Sequence, residues 1–342
     1  MKKIWLLFFI TILLMNFVSA YEIDNYPLIL VHGHGISTGE AANFLREYKE
    51  RGDFGPLSNF QSKLEEDGLY FNKHIIIPYY FTQSCDWDKR ISVRMTYYVD
   101  ENGNFDDSKS IEVYAERLRE VINIVKQCTK SDKVNLVGYS MGGLVIREYA
   151  RNNPRNVNKI ITLGTPNYGV ENVYSGGKSS LCSQFRYEND LECGQMKINS
   201  NFLKTLNANN RTNIYTISGV IKNKEYFGLI CQDYNSCNDG LICLKLAQIP
   251  GAKNYVVYSE KPSASIKYLS RGVHIDLADP ETEAGFKTYE IVKKILSNED
   301  VQANEKEWDE RCILESKNSF KAALERLIIF IKEKLEFLII KR

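Results

Sequence analysis

Ser140, a pair of aspartates at Asp233 and Asp239, and His274 are the residues of this chain whose types and order suit acyl-transfer chemistry. A serine hydroxyl is a weak nucleophile until a base takes its proton; histidine is the usual base, and a carboxylate orients it. Ser140 lies in "VNLVGYSMGGLVIREYA", between Gly138 and Gly142. G-x-S-x-G after a β-branched run and before helical spacing is the pattern of a nucleophile elbow, a tight strand-to-helix turn that lifts the serine oxygen clear of a sheet. The flanking glycines let strand and helix pass without a Cβ between them. Of the four histidines, His32, His34, His74 and His274, only His274 follows Ser140, as the chain order nucleophile, acid, histidine requires. Asp233 and Asp239 both follow the apolar run "NIYTISGV" and both qualify as the acid, although "NDG" at 238–240 also reads as a tight turn. Backbone N–H groups of Met141, at the helix start, and of His34, in "LVHGHG", are the expected oxyanion donors.

Such residues need elements to bring them together. From Tyr26 onward apolar runs ("PLILVHG", "HIIIPYYF", "VNKIITLG", "NIYTISGV", "NYVVYS") alternate with helical patterns. Among the latter, "SIEVYAERLREVINIVKQC" places Val113, Leu118, Val121, Ile122 and Val125 on one side, and "GLICLKLAQI" and "PETEAGFKTYEIVKKILS" read as later helices. This alternation predicts an α/β fold, a mainly parallel sheet with helices on both faces. Residues 167–200 are too long and polar for a simple connection and are read as a lid-like insertion. A domain boundary is placed near Leu296, followed by an acidic linker over 297–316 and an amphipathic helix over 317–342. Gly33, Gly35 and Gly39 miss the dinucleotide spacing by one residue, so a nicotinamide-binding reading is set aside.

The 342-residue chain is 44% hydrophobic with a formal net charge of +1, which implies a large core and provides no electrostatic footprint for nucleic acid. Residues 1–20 carry two lysines, an apolar run and a Val-Ser-Ala end, the grammar of a signal peptide cleaved after Ala20. The body is therefore expected to be secreted or extracytoplasmic, an environment in which the eight cysteines would form disulfides. Proximity suggests Cys182 with Cys193, and one pair among Cys231, Cys237 and Cys243. In the tail, Leu324, Leu327, Ile328, Ile331, Leu335 and Leu338 form a broad apolar stripe, and residues 317–342 hold seven basic against three acidic residues, a net +4. That combination suits peripheral contact with an anionic membrane surface; docking on the catalytic domain is the competing reading.

Together, "PLILVHGHG", "VNLVGYSMGGLVIREYA", "VNKIITLGTPNYGV" and "DGLICLKLAQIPGAKNYVVYS" resemble the α/β-hydrolase superfamily, in particular bacterial-type extracellular triacylglycerol lipases and esterases. The resemblance spans roughly residues 26–296 and implies a catalytic domain over 21–296. The family's acid, followed by a small helix and a "GA-x-N" strand entry, falls on Asp239, Gly251, Ala252 and Asn254, which favours Asp239 over Asp233. The cysteine-bearing stretch 221–238 departs from the family's short connection at this point. The implied activity is hydrolysis of lipid or other acyl esters by Ser140, Asp239 and His274 through an acyl-enzyme, with no metal or organic cofactor. An acyltransferase or lipid-anchor deacylase on the same site, and a non-catalytic binding protein on the same fold, are the alternatives.

Overall fold

The computed structural model describes residues 25–34, 56–77, 91–95, 109–170, 174–175, 178–179, 191–208, 213–221, 237–260, 264–266, 269–308 and 311–312. The signal-like segment 1–20, the amphipathic tail 317–342, His74's side chain, Asp233, Cys85, Cys182 and Cys231 lie outside what is described. The strands are β1 (Leu28–Val31), β2 (Phe71–Ile77), β3 (Ile91–Met95), β4 (Val134–Tyr139), β5 (Val157–Leu163), β6 (Ile214–Ile221) and β7 (Lys253–Ser259). They form one seven-stranded sheet in the order β2-β3-β1-β4-β5-β6-β7. Every neighbouring pair is parallel.

The helices are α1 (Pro56–Glu66), α2 (Ile111–Thr129), α3 (Met141–Asn152), α4 (Leu191–Gln195), α5 (Asn201–Asn207), α6 (Leu244–Ala247), α7 (Val273–Asp276) and α8 (Glu283–Leu296). Strands covered on both faces must be apolar at successive positions, because neighbouring side chains point to opposite sides. In β1, Ile29 and Val31 join Leu118, Val121 and Leu144 of α2 and α3. Leu28 and Leu30 join Phe60 and Leu64 of α1 and Tyr289 and Val292 of α8. All four β1 side chains are fully buried, each contributing about 1.5–3 kcal/mol relative to exposure. The sheet therefore rests between two apolar layers, and the parallel α/β fold expected from the alternation is the one observed.

Two helical readings need correction. In α2 the buried stripe is Ile111, Tyr114, Ala115, Leu118, Val121, Ile122, Val125 and Thr129, whereas Val113 is 38% exposed. Val113 lies five residues before Leu118, about 140° around a helix with 100° per residue, so it faces outward. The run "GLICLKLAQI" yields only the short α6, because Gly240–Cys243 are taken up by a turn in which Asp239 accepts from the Leu241 and Ile242 N–H groups.

The segment after α8 returns to the domain. Asn304 uses its side chain as a strand mimic, accepting from Val256 N–H at 2.8 Å and donating to the Val256 carbonyl at 3.0 Å. Trp308 and Cys312 pack with Val220, Cys237, Leu244 and Val256. Residues 297–312, where described, thus pack against β7 although their acidic composition reads as linker. Cys237 pairs with Cys312, 75 residues away, a partner that proximity in sequence did not suggest. Cys128, Cys193 and Cys243 are also disulfide-bonded. Of the lid-like segment 167–200, Val170 pairs with Lys197, Tyr174–Ser175 pairs antiparallel with Lys178–Ser179, and α4 is formed; residues 171–173, 176–177 and 180–190 lie outside the described residues. No helix among the described residues is long and apolar enough to cross a membrane.

Candidate active site

The site forms where the carboxyl ends of the parallel strands open into loops, the usual ligand position in such sheets. Ser140 follows the last residue of β4 and precedes the first of α3. Its backbone has φ 53° and ψ −126°, a conformation that costs a non-glycine residue of order 1–3 kcal/mol. The turn is held by Ser140 N–H donating to the Leu163 carbonyl at 2.8 Å and by Gly143 N–H donating to the Ser140 carbonyl at 3.0 Å. Helix α3 runs hard against the loop after β1: a Cβ on Gly142 would lie 2.3 Å from the His32 carbonyl oxygen and 2.4 Å from that of Val31. The strand–serine–helix joint legible in the sequence is therefore the joint observed.

His274 sits in α7, which follows an antiparallel hairpin, β8 (Ala264–Ile266) and β9 (Leu269–Gly272). Its Nε2 lies 3.0 Å from Ser140 Oγ and its Nδ1 lies 2.7 Å from Asp239 Oδ2. A carboxylate only accepts hydrogen bonds, so Nδ1 carries the proton and Nε2 presents its lone pair to the Ser140 hydroxyl. Asp239 is 2% exposed and His274 6%. The other Asp239 oxygen, Oδ1, accepts from Leu241 N–H at 2.9 Å and Ile242 N–H at 2.7 Å. These donors fill the second carboxylate oxygen and fix the orientation in which Oδ2 faces the imidazole.

The Asp239 loop is tied to its surroundings at several points despite the long stretch before it. The Asn238 carbonyl accepts from Ile221 N–H at the end of β6, at 3.0 Å, and the Asp239 carbonyl accepts from His274 N–H at 2.9 Å. Acid and histidine are thus joined through both backbone and side chain. The Tyr139 ring lies 5.3 Å from the imidazole, centroid to centroid, tilted by 38°. Burial pushes its phenol well above the ordinary tyrosine range, so it presents a neutral wall to His274.

On the other side of Ser140 is the loop after β1. A Cβ on Gly33 would meet the Ser140 Cβ at 2.8 Å, so this backbone lies against Ser140 and the next peptide carries the His34 N–H. His32 Nδ1–H donates to the Gly33 carbonyl at 2.7 Å. Burial lowers the His32 pKa to about 4, against a smaller upward pull from that bond; His32 is a neutral brace at pH 7. Met141 opens α3, where a helix has no internal partner for its first N–H groups. The structure accordingly brings together Ser140, Asp239, His274, Met141 and the His32–His34 loop.

Sequence reasoning missed Gly33, Tyr139 and Glu192. Gly33 carried a signal, being one of the glycines of "HGHG". Glu192 carried none, because only tertiary packing brings it within 3.5 Å of His34. Among the described residues no group of three or more His, Cys, Asp or Glu side chains is arranged to hold a metal ion.

A family model described as the alpha/beta hydrolase fold matches residues 28–180. Among solved structures, the mature lipase BlEst2 of Bacillus licheniformis is similar at 17% identity and a TM-score of 0.48, covering 78% of this chain and 91% of that one. The lin2722 product of Listeria innocua is similar at 14% identity and a TM-score of 0.47, covering 82% and 100%. Lipase B of Aspergillus fumigatus is similar at 14% identity and a TM-score of 0.42, covering 88% and 63%.

Proposed function

We propose that this chain, an α/β hydrolase by family match and sheet topology, is a serine ester hydrolase acting on lipid or other acyl esters. The observation that carries the reading is the continuous relay from Asp239 Oδ2 to His274 Nδ1, 2.7 Å, and from His274 Nε2 to Ser140 Oγ, 3.0 Å. Ser140 Oγ attacks the ester carbonyl carbon while His274 Nε2 takes the hydroxyl proton, and Asp239 stabilises the imidazolium without itself being protonated. The tetrahedral oxyanion is received by the Met141 and His34 N–H groups, each worth about 10²–10³ in rate. Collapse expels the alcohol, to which His274 returns the proton. Water, deprotonated by the same imidazole, then releases the carboxylic acid from the acyl-enzyme and restores Ser140. This cycle uses no cofactor.

Export is part of the proposal, supported by the signal-like residues 1–20 and by disulfide bonding of Cys128, Cys193, Cys237, Cys243 and Cys312. Peripheral membrane contact through 317–342 would bring the site to an insoluble substrate. The decisive experiment is fluorophosphonate labelling with peptide mapping, alongside hydrolysis of a graded series of p-nitrophenyl esters. Labelling at Ser140 and turnover of at least one ester are expected. Labelling at another serine, or no ester turnover by the full oxidised chain, would overturn the reading.

A further inference from the structure

Glu192 is the second residue of the short helix α4, and its carboxylate is fully buried 3.5 Å from His34 Nε2. Tyr114 of α2 donates its hydroxyl to the same carboxylate oxygen, Oε1, at 3.3 Å, and Lys109 N–H donates to the Tyr114 oxygen at 3.0 Å. The helix carrying Glu192 is clipped to the start of α2: Gln195 Oε1 accepts from Ile111 N–H at 2.6 Å, and Gln195 Nε2 donates to Glu112 at 2.5 Å. Glu192 Oε2 is buried with no hydrogen-bond partner among the described residues. Removing a carboxylate from water without full compensation costs several kcal/mol. A position needed only for packing would be more stable with an uncharged side chain.

The chemistry facing this carboxylate explains what its charge does. Its only neighbour among the described residues able to carry positive charge, within ion-pair distance, is the His34 ring, itself 20% exposed. His34 supplies the proposed oxyanion N–H, one peptide beyond the Gly33 backbone that abuts Ser140. A carboxylate accepts only, so the ring must present Nε2–H toward it, and a low-dielectric setting strengthens the attraction. We infer that Glu192 is a positioning residue for the oxyanion hole: through the His34 ring it fixes the direction of the His34 N–H. The inference rests on the ester-hydrolase reading above.

A donor that is displaced rather than deleted should cost less than the 10²–10³ of a lost one, so E192Q should lower kcat about tenfold with KM within about twofold. H34A keeps the backbone N–H but removes the ring, and should lower kcat to a similar degree. If Glu192 acts through the ring, the double variant E192Q/H34A is no slower than the slower single variant, and fluorophosphonate labelling rates fall in parallel. Additive losses, or a fall in kcat that follows lost folding in thermal melts, would assign Glu192 a structural role and overturn the inference. Should E192Q fail to fold, H34A decides alone: unchanged kcat overturns the inference and a tenfold loss supports it. An active wild type with unaffected variants sinks only this inference, whereas an inactive wild type sinks the ester-hydrolase reading with it.

Discussion

The two halves of the relay are built in opposite ways. The Ser140 elbow is local: "GYSMGG" carries a strand end, a strained serine and the glycines that admit a close helix within six residues. The Asp239 loop is assembled from a distance, by hydrogen bonds to Ile221 and His274 and by the Cys237–Cys312 disulfide that straps it to a segment 75 residues away. The strained part of this site thus lies where neighbours in sequence enforce it. The part that only orients can be held by covalent and long-range ties, and it accommodates the insertion between Ile221 and Cys237.

The comparison can be tested from both ends. The largest effect is expected at the elbow: S140A should reduce ester turnover by about 10⁶-fold with the melting temperature nearly unchanged, since removing the nucleophile disables the whole unit. Steady-state kinetics with a thermal melt checks this. On the acid side, D239N should cost about 10⁴-fold through the wrong imidazole tautomer, because the amide would offer N–H or C=O to His274 Nδ1 with no charge to stabilise an imidazolium. An equal loss at Asp233 would break the assignment.

Third comes the strap. The pair C237A/C312A removes a cross-link closing a 75-residue separation, worth about 4–5 kcal/mol on the chain-entropy account. Urea unfolding should show that loss, and activity should fall well below the denaturation midpoint, as the acid loop loosens before the elbow does. Coincident loss of activity and fold would mean that the two regions are equally cooperative.

The smallest effect belongs to His32, beside the elbow. Its pKa is about 4 in the fold against 6.5 for an unperturbed imidazole, so the unfolded chain binds more protons between those values and stability falls as pH drops through that window. At 1.36 kcal/mol per pKa unit the difference approaches roughly 3 kcal/mol below pH 4. H32N lacks the titration, so its stability relative to wild type should improve by about that amount from pH 7 to pH 4. Parallel stability curves would show that His32 is solvated.

Much of this molecule was written in residue order. The runs at 28–31, 134–139 and 157–163 read as strands and are strands, largely buried, and G-x-S-x-G between strand and helix located Ser140. Chain order left one histidine, His274, since the others precede the serine. These features are legible because they depend on period, on local sterics and on counting. The outward turn of Val113 was equally legible from helical geometry and was misread. What tertiary structure decided is everything that requires distant segments to meet. The residues alone left Asp233 and Asp239 both open and only the family resemblance favoured Asp239; the tie that fastens its loop to β6, Ile221 N–H to the Asn238 carbonyl, belongs to the tertiary structure. Cys237 found Cys312 rather than a nearer cysteine, because pairing follows spatial approach of the Cα atoms, not separation along the chain. Glu192, silent in the sequence, became part of the site because packing of α4 against α2 buried its charge beside His34: a side chain's electrostatic role is set by its neighbours and dielectric, and neither is a property of its position in the chain.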